Sequence, residues 1–169
     1  MGTVYWITGL SGAGKTTIGK LFYIRLKEMR PNTVFLDGDA LRKVFGDDVG
    51  YSREDRRKCA MRYSRLCAML QEQGMNVICC TISMFDSVRE WNRENIHNYR
   101  EIYVKVSIET LQKRDQKGLY SGITEENQKE VVGIHMKLEE PKCPDLILYN
   151  EGKNTPEEQA EKIFRHLVL

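Results

Sequence analysis

The chain lacks the marks of export and of membrane insertion: no hydrophobic signal segment stands at its start, and no apolar run is long enough to span a bilayer. A disulfide framework or zinc ribbon is missing too, because its five cysteines, Cys59, Cys67, Cys79, Cys80 and Cys143, are odd in number and include no C-x-x-C pair. The expectation that follows is a cytoplasmic enzyme with reduced thiols, each packed as a small hydrophobe. His97, His135 and His166 have no metal-ligand spacing to one another or to a cysteine pair, which leaves them as surface or packing residues. There is no large excess of charge: a formal net charge of +2 with 30% charged residues argues against nucleic acid or a membrane as partner and for a small molecule. No internal repeat, low-complexity tract or interdomain linker interrupts the 169 residues, so one domain over residues 1–169 is expected, long enough to bury a sizeable core.

What is present is an alternation of strand-length apolar runs with stretches of helical period, the pattern of βαβ units around a parallel sheet. Strands are expected at Val4–Thr8, Val34–Leu36, Val77–Ile82, Ile102–Val106 and Leu146–Leu148. Helices are expected from about Lys15 to Met29, from a Ser52/Asp55 capping box toward Gln73 with Gly74 as the stop, and from about Asp86 to His97. Thr155-Pro156-Glu157-Glu158 supplies an N-cap, an N1 proline and an N3 glutamate to a last helix that puts Ala160, Ile163, Phe164 and Leu167 on one face. Val77–Ile82 is apolar throughout, as suits a strand covered on both faces. Trp6 and Trp91 read as core side chains rather than cofactor stackers. The stretch from Lys117 to about residue 140 is polar, weakly periodic and long for a connection, which predicts an active-site lid.

The first strand runs into Gly9-Leu10-Ser11-Gly12-Ala13-Gly14-Lys15-Thr16, and a helix follows at once. Glycines let the backbone curl around phosphate oxygens with its N–H groups inward, a lysine at the end reaches the β/γ-phosphates, and the next hydroxyl can ligate Mg²⁺. This is a nucleoside triphosphate site, with Gly9, Ser11, Gly12, Ala13, Gly14, Lys15, Thr16 and Thr17 as the ATP-binding residues and Mg²⁺ at Thr16. A glycine-rich βα turn that holds no phosphate needs neither the lysine nor the hydroxyl.

Leu36-Asp37-Gly38-Asp39-Ala40-Leu41-Arg42 then puts two carboxylates at the carboxyl end of the second strand, where open α/β sheets bind ligands. Two acids in one place need a positive partner, and a metal-bound triphosphate supplies it. One carboxylate can hold metal-bound water while the other accepts or orients a hydroxyl proton, and Arg42 can clamp an anion bidentately. The bland alternative is a solvated Asp-Gly turn. Arg53, Arg56, Arg57, Lys58 and Arg62 crowd one helix; most belong to a solvated face, and only Arg56 is counted as a site residue.

The ordered motifs resemble those of adenylylsulfate kinases. They are the phosphate loop through Thr17, the L-D-G-D-x-x-R element, Gly50-Tyr51-Ser52 with Asp55-Arg56, Ile82-Ser83 followed by Arg89 and Arg93, Arg114-Asp115-Gln116-Lys117-Gly118-Leu119-Tyr120, and Val132-Gly133-Ile134 ahead of Glu139-Glu140-Pro141. The resemblance covers roughly residues 4 to 150. It implies an α/β P-loop NTPase fold, a three-layer sandwich with a central, mainly parallel five-stranded sheet and a lid. It also implies transfer of the ATP γ-phosphate to the ribose 3′-hydroxyl of an acceptor nucleotide, adenylylsulfate in the family's main activity. By the same resemblance Asp39 is the base or orienter, Asp37 holds Mg²⁺ through water, Arg114 belongs to the ATP site and Lys117 reaches between donor and acceptor. Arg42, Tyr51, Arg56, Cys59, Ile82, Ser83, Gly118, Leu119 and Val131 then fall at the acceptor, and a homodimer is an expectation resting on the resemblance alone.

The chain departs from the family pattern mainly around the acceptor. The family holds the acceptor's adenine between two phenylalanines, where this chain has Tyr51 and Val131; a family asparagine is Cys59, an arginine is Met61 and a proline is Met84. Losing one stacking face weakens base binding by roughly tenfold to a hundredfold, at about 1–3 kcal/mol per base. The resemblance still makes adenylylsulfate the leading acceptor, and the departures make another nucleotide such as cytidine diphosphoramidate, used in capsule modification, the alternative. A P-loop binding switch, which would lack an N-K-x-D guanine-reading segment here, and a small-metabolite kinase stand behind both.

Overall fold

The computed structural model of the chain describes residues 2–46, 50–114 and 139–169. Lys117, Gly118, Leu119, Val131 and His135, and all but the last two residues of the expected lid, lie outside the described residues. In chain order the elements are β1 (Val4–Thr8), α1 (Lys15–Met29), β2 (Thr33–Asp37), α2 (Gly38–Phe45), α3 (Arg53–Glu72), β3 (Asn76–Thr81), α4 (Asp86–Asn95), β4 (Tyr99–Lys105), α5 (Ile108–Arg114), β5 (Leu146–Tyr149) and α6 (Pro156–Leu167).

The five strands form one sheet in the order β2-β3-β1-β4-β5, and every pairing is parallel. Alternate residues of each interior strand feed opposite faces, as the two-residue period requires. Tyr5, Ile7, Ile78, Cys80, Ile102 and Val104 meet Ile18, Phe22 and Leu26 of α1 and Ile163 and Phe164 of α6. Val4, Trp6, Val77, Cys79 and Tyr99 meet Leu41 of α2, Tyr63 and Cys67 of α3 and Val88 of α4. The result is an α/β sandwich of three layers. Trp6 is sealed inside the second layer and Trp91 packs against it, so neither indole serves as a stacking platform.

Local signals explain most boundaries. Ser52 accepts the Asp55 N–H and caps α3 as expected, but the Asp55 carboxylate accepts from the Ser52 hydroxyl rather than from its N–H, so the contact differs from the expected capping box. The box at Thr155 is complete, with Glu158 returning to the Thr155 N–H. Gly74 sits at φ +84 just past α3, a conformation that favours glycine. Cys59, Cys67, Cys79 and Cys80 are buried free thiols as expected, but Cys143 is exposed, because the 139–145 segment lies on the surface beside α4.

A buried ionic lock, which hydrophobic patterning does not reveal, holds that segment. Arg89 is 4% exposed and pairs with Glu101, 2% exposed, at 3.3 Å, and Arg93 closes on the other Glu101 oxygen. Burial pushes the Glu101 carboxyl above its usual range despite both guanidiniums. Arg89 also donates to the Glu139 carbonyl at 2.6 Å, while the Glu139 carboxylate accepts the Asp86 N–H at 2.6 Å and pairs with Arg53. The Arg89, Arg93 and Glu139 motif positions thus tie the starts of α3 and α4 to the segment that leads into β5.

Candidate active site

At the carboxyl ends of β1, β2 and β3 opens a cleft of about 280 Å³. Its walls include Ser11, Gly12, Gly14, Lys15, Thr16 and Thr17 from the phosphate loop and α1, and Asp37, Gly38, Asp39 and Arg42 around α2. Tyr51, Arg56, Cys59 and Tyr63 line it from α3 and its approach, and Thr81, Ile82, Ser83, Met84 and Phe85 from the end of β3. The structure therefore gathers most of the expected site residues around one space.

The loop is held from behind. Lys15 is 8% exposed, and its ammonium donates to the Leu10 carbonyl at 2.7 Å, so the charge folds back across the loop's mouth. Asn150 donates to the Ala13 carbonyl at 2.9 Å, and Arg114 donates to the Asn150 carbonyl at 2.7 Å. Of the residues expected at the ATP site, Gly9, Ala13 and Arg114 stand behind the loop rather than on the lining of this cleft. Ala13 is fully buried, and Arg114 is tied to Asn150. Gly9 sits at φ +154 where an added Cβ would lie 2.4 Å from the Val104 carbonyl oxygen, so this glycine is required for close passage of β4.

Beneath the loop the Cys80 thiol donates to the Lys15 carbonyl at 3.4 Å. Burial pushes its pKa up more strongly than nearby Lys15 pulls it down, so it remains a protonated packing group rather than a nucleophile.

Asp37 joins the two sides. One carboxylate oxygen accepts from Thr16 Oγ1 at 2.7 Å, and the other caps α2 by accepting the Asp39 N–H at 3.0 Å and the Ala40 N–H at 3.4 Å. Asp39, one residue into that cap, is exposed to the cleft. A hydroxyl beside a carboxylate is a hard oxygen donor set, which suits Mg²⁺ and leaves it room to keep several waters.

The opposite wall is made of long side chains. Tyr51 is 57% exposed; the Arg42 guanidinium lies 4.1 Å from its ring centroid and that of Arg56 lies 5.4 Å away. Arg42 also donates to the Gly50 carbonyl, and Arg56 Nε donates to the Tyr51 carbonyl at 2.9 Å. Thr8 Oγ1 donates to the Ile82 carbonyl at 2.8 Å, and Ser83 Oγ pairs with Thr81 Oγ1 at 2.7 Å, which fixes the strand end beside them. Arg57, Lys58, Met61, Arg62 and Arg65 line a separate surface groove, and of the basic cluster only Arg56 lines the cleft.

Sequence reasoning missed Tyr63, Thr81 and Phe85. Arg56, Cys59 and Tyr63 fall at i, i+3 and i+7, one face of a helix, so the period of α3 was a signal that could have found the tyrosine. Among the described residues no cluster of His, Cys, Asp or Glu could by itself hold a metal ion, and no helix is long and apolar enough to cross a membrane.

Known proteins match this arrangement throughout the chain. The family model described as adenylylsulphate kinase matches residues 1–149. The cytidine diphosphoramidate kinase of Campylobacter jejuni subsp. jejuni is 40% identical over 98% of this chain and 96% of its own length. The adenylyl-sulfate kinase of Halothermothrix orenii is 36% identical over 98% of this chain and 89% of its own. The Mycobacterium tuberculosis APS kinase, solved with AMPPNP and APS, superposes with a TM-score of 0.89 at 30% identity, covering 98% of this chain and 97% of that one. On the strength of the cleft and of these matches, the chain belongs to the adenylylsulphate kinase family and is an ATP-dependent nucleotide kinase.

Proposed function

We propose that the chain transfers the ATP γ-phosphate to the ribose 3′-hydroxyl of cytidine diphosphoramidate, in preference to adenylylsulfate. The observation that carries the choice of acceptor is Tyr51, where the family pattern has phenylalanine, with two guanidiniums against its ring at 4.1 and 5.4 Å. A tyrosine with guanidiniums against its ring suits a small base better than an adenine held between two phenylalanines, and Arg42 and Arg56 bring positive charge for the anionic part of the acceptor. The 40% identity to the Campylobacter kinase over nearly its whole length supports the same reading. Adenylylsulfate is the second reading, favoured by the family model over residues 1–149 and by the likeness to the APS-bound structure.

In this mechanism the loop amides and Lys15 receive the phosphates, and Thr16 and Asp37 are the residues that would hold Mg²⁺, which would supply charge neutralisation at the triphosphate oxygens. Asp39 orients the 3′-hydroxyl and accepts its proton, Arg42 and Arg56 bind the acceptor's anionic group, and Ser83 and Ile82 border it. Lys117, Gly118, Leu119 and Val131 complete the proposal beyond the described residues. Phosphoryl transfer has a loose transition state, so alignment, at roughly 7–11 kcal/mol, outweighs a general base at about 10²–10⁴-fold, or about 3–5 kcal/mol. A cleft with a phosphate loop on one side and acceptor-binding side chains on the other suits that order of importance.

The test supplies ATP and magnesium with cytidine diphosphoramidate, with adenylylsulfate and with no acceptor, and identifies the product by mass and the position of its new phosphate. At least a tenfold higher kcat/KM for the cytidine compound is expected, on the scale of one lost stacking face. The reverse preference establishes adenylylsulfate as acceptor, and equal ADP release in all three reactions sinks the kinase mechanism.

A further inference from the structure

We infer that Tyr63 is a positioning residue of the phosphoryl transfer, acting through the Gly38–Asp39 peptide. The inference rests on the reading of Asp39 as the group that handles the acceptor hydroxyl. Tyr63 stands on α3, 5% exposed and on the cleft wall. Its hydroxyl donates to the Gly38 carbonyl at 3.1 Å and accepts from the Cys59 thiol at 2.9 Å. The direction of this chain is forced, because a carbonyl can only accept and the phenol has one proton. Burial raises the Tyr63 pKa, and the Cys59 hydrogen bond raises it further, so the donor stays protonated.

The same peptide is held at its other end. Its N–H, that of Asp39, donates to Asp37 Oδ1 at 3.0 Å, and Asp37 is in turn bound to Thr16 of the phosphate loop. A trans peptide points its C=O and N–H in opposite directions, so Tyr63 and Asp37 grip one plane from two sides. That plane most needs gripping, since Gly38 has no side chain to restrict it. The Tyr63 ring also stacks on Phe45, the last residue of α2, at 5.9 Å and 23°. One side chain of α3 therefore holds the short helix that carries Asp39 in its first turn and Arg42 one turn further on. Cys59, where the family pattern has asparagine, turns its thiol to Tyr63, so this position supports alignment rather than offering an amide to the acceptor.

The experiment is a double-mutant cycle with ATP and whichever acceptor yields the 3′-phosphate. Tyr63→Phe keeps the stacked ring and loses the hydroxyl; kcat is expected to fall about tenfold, the equivalent of one hydrogen bond, with KM for ATP within about twofold of wild type. In the Asp39→Asn background the same change is expected to have no further effect. A Tyr63→Phe enzyme with wild-type kcat beside a slow Asp39→Asn enzyme overturns the inference and spares the base. An Asp39→Asn enzyme with wild-type kcat overturns the underlying reading instead. Effects that multiply in the double variant mean that Tyr63 does not act through Asp39, which also overturns the inference. Cys59→Ala, which keeps both rings and the Gly38 bond, gives a second route: a fall of about threefold that vanishes in the Asp39→Asn background supports the relay, and a fall that persists there refutes it.

Discussion

The two walls of the cleft are built from different materials. The phosphate-loop wall presents backbone that is braced from behind: the Lys15 ammonium folds onto the Leu10 carbonyl, the Asn150 side-chain amide holds the Ala13 carbonyl, and Gly9 is pressed against the Val104 carbonyl. The facing wall is side chains on helices: Arg42 and Arg56 on a half-exposed Tyr51, with Cys59 and Tyr63 behind them. Backbone contacts do not depend on which side chain is present, whereas side-chain contacts change with each substitution. A reaction type set by the first wall can therefore persist while the acceptor changes at the second. This is how the cleft keeps its loop and its aspartate pair while departing from the family pattern at Tyr51, Cys59 and Met84.

The comparison breaks most severely at Lys15. Lys15→Ala is expected to lower kcat roughly a thousandfold with any acceptor, the scale for losing a preorganised group that stabilises transition-state charge. Steady-state kinetics that show less than a tenfold loss would move the phosphate contact elsewhere. Next in size is Gly9→Ala, whose methyl meets the Val104 carbonyl oxygen at 2.4 Å and cannot be relieved by a rotamer change. A loss of about 3 kcal/mol, or roughly 6–12 °C in Tm for a chain of this size, is expected by calorimetry. An unchanged Tm would show that the loop wall yields as readily as the other. The smallest effect sharpens the contrast: Arg42→Ala is expected to raise KM for the acceptor about tenfold to a hundredfold, the scale of a lost charged hydrogen bond, and to leave KM for ATP within about twofold. The reverse pattern would assign that arginine to the donor side.

Strands whose residues are uniformly apolar were readable in the chain, but β4 begins three residues before its apolar run. Tyr99-Arg100-Glu101 pairs with Val4-Tyr5-Trp6, and Glu101 is buried there only because Arg89 and Arg93 close on it. A pattern of hydrophobic residues cannot announce a charge made tolerable by partners from another element. The short helix α2 was unreadable for a related reason. It opens on Gly38, a poor helix former, and its cap is the carboxylate that also binds Thr16 across the cleft. Nothing local in the sequence marks Tyr63, because what distinguishes it is the contact of its hydroxyl with Gly38 on another helix.

By itself, then, the sequence determined the alternation of strand and helix, the phosphate loop and the aspartate pair, because these depend on the period of apolar residues and on local backbone chemistry within a few residues. Tertiary structure alone decided the ionic lock, the guanidiniums on Tyr51 and the grip of Tyr63 on Gly38. The Tyr63 contact joins residues 25 apart in the chain, and a contact between groups that distant exists only once a sheet and its helices have brought them together.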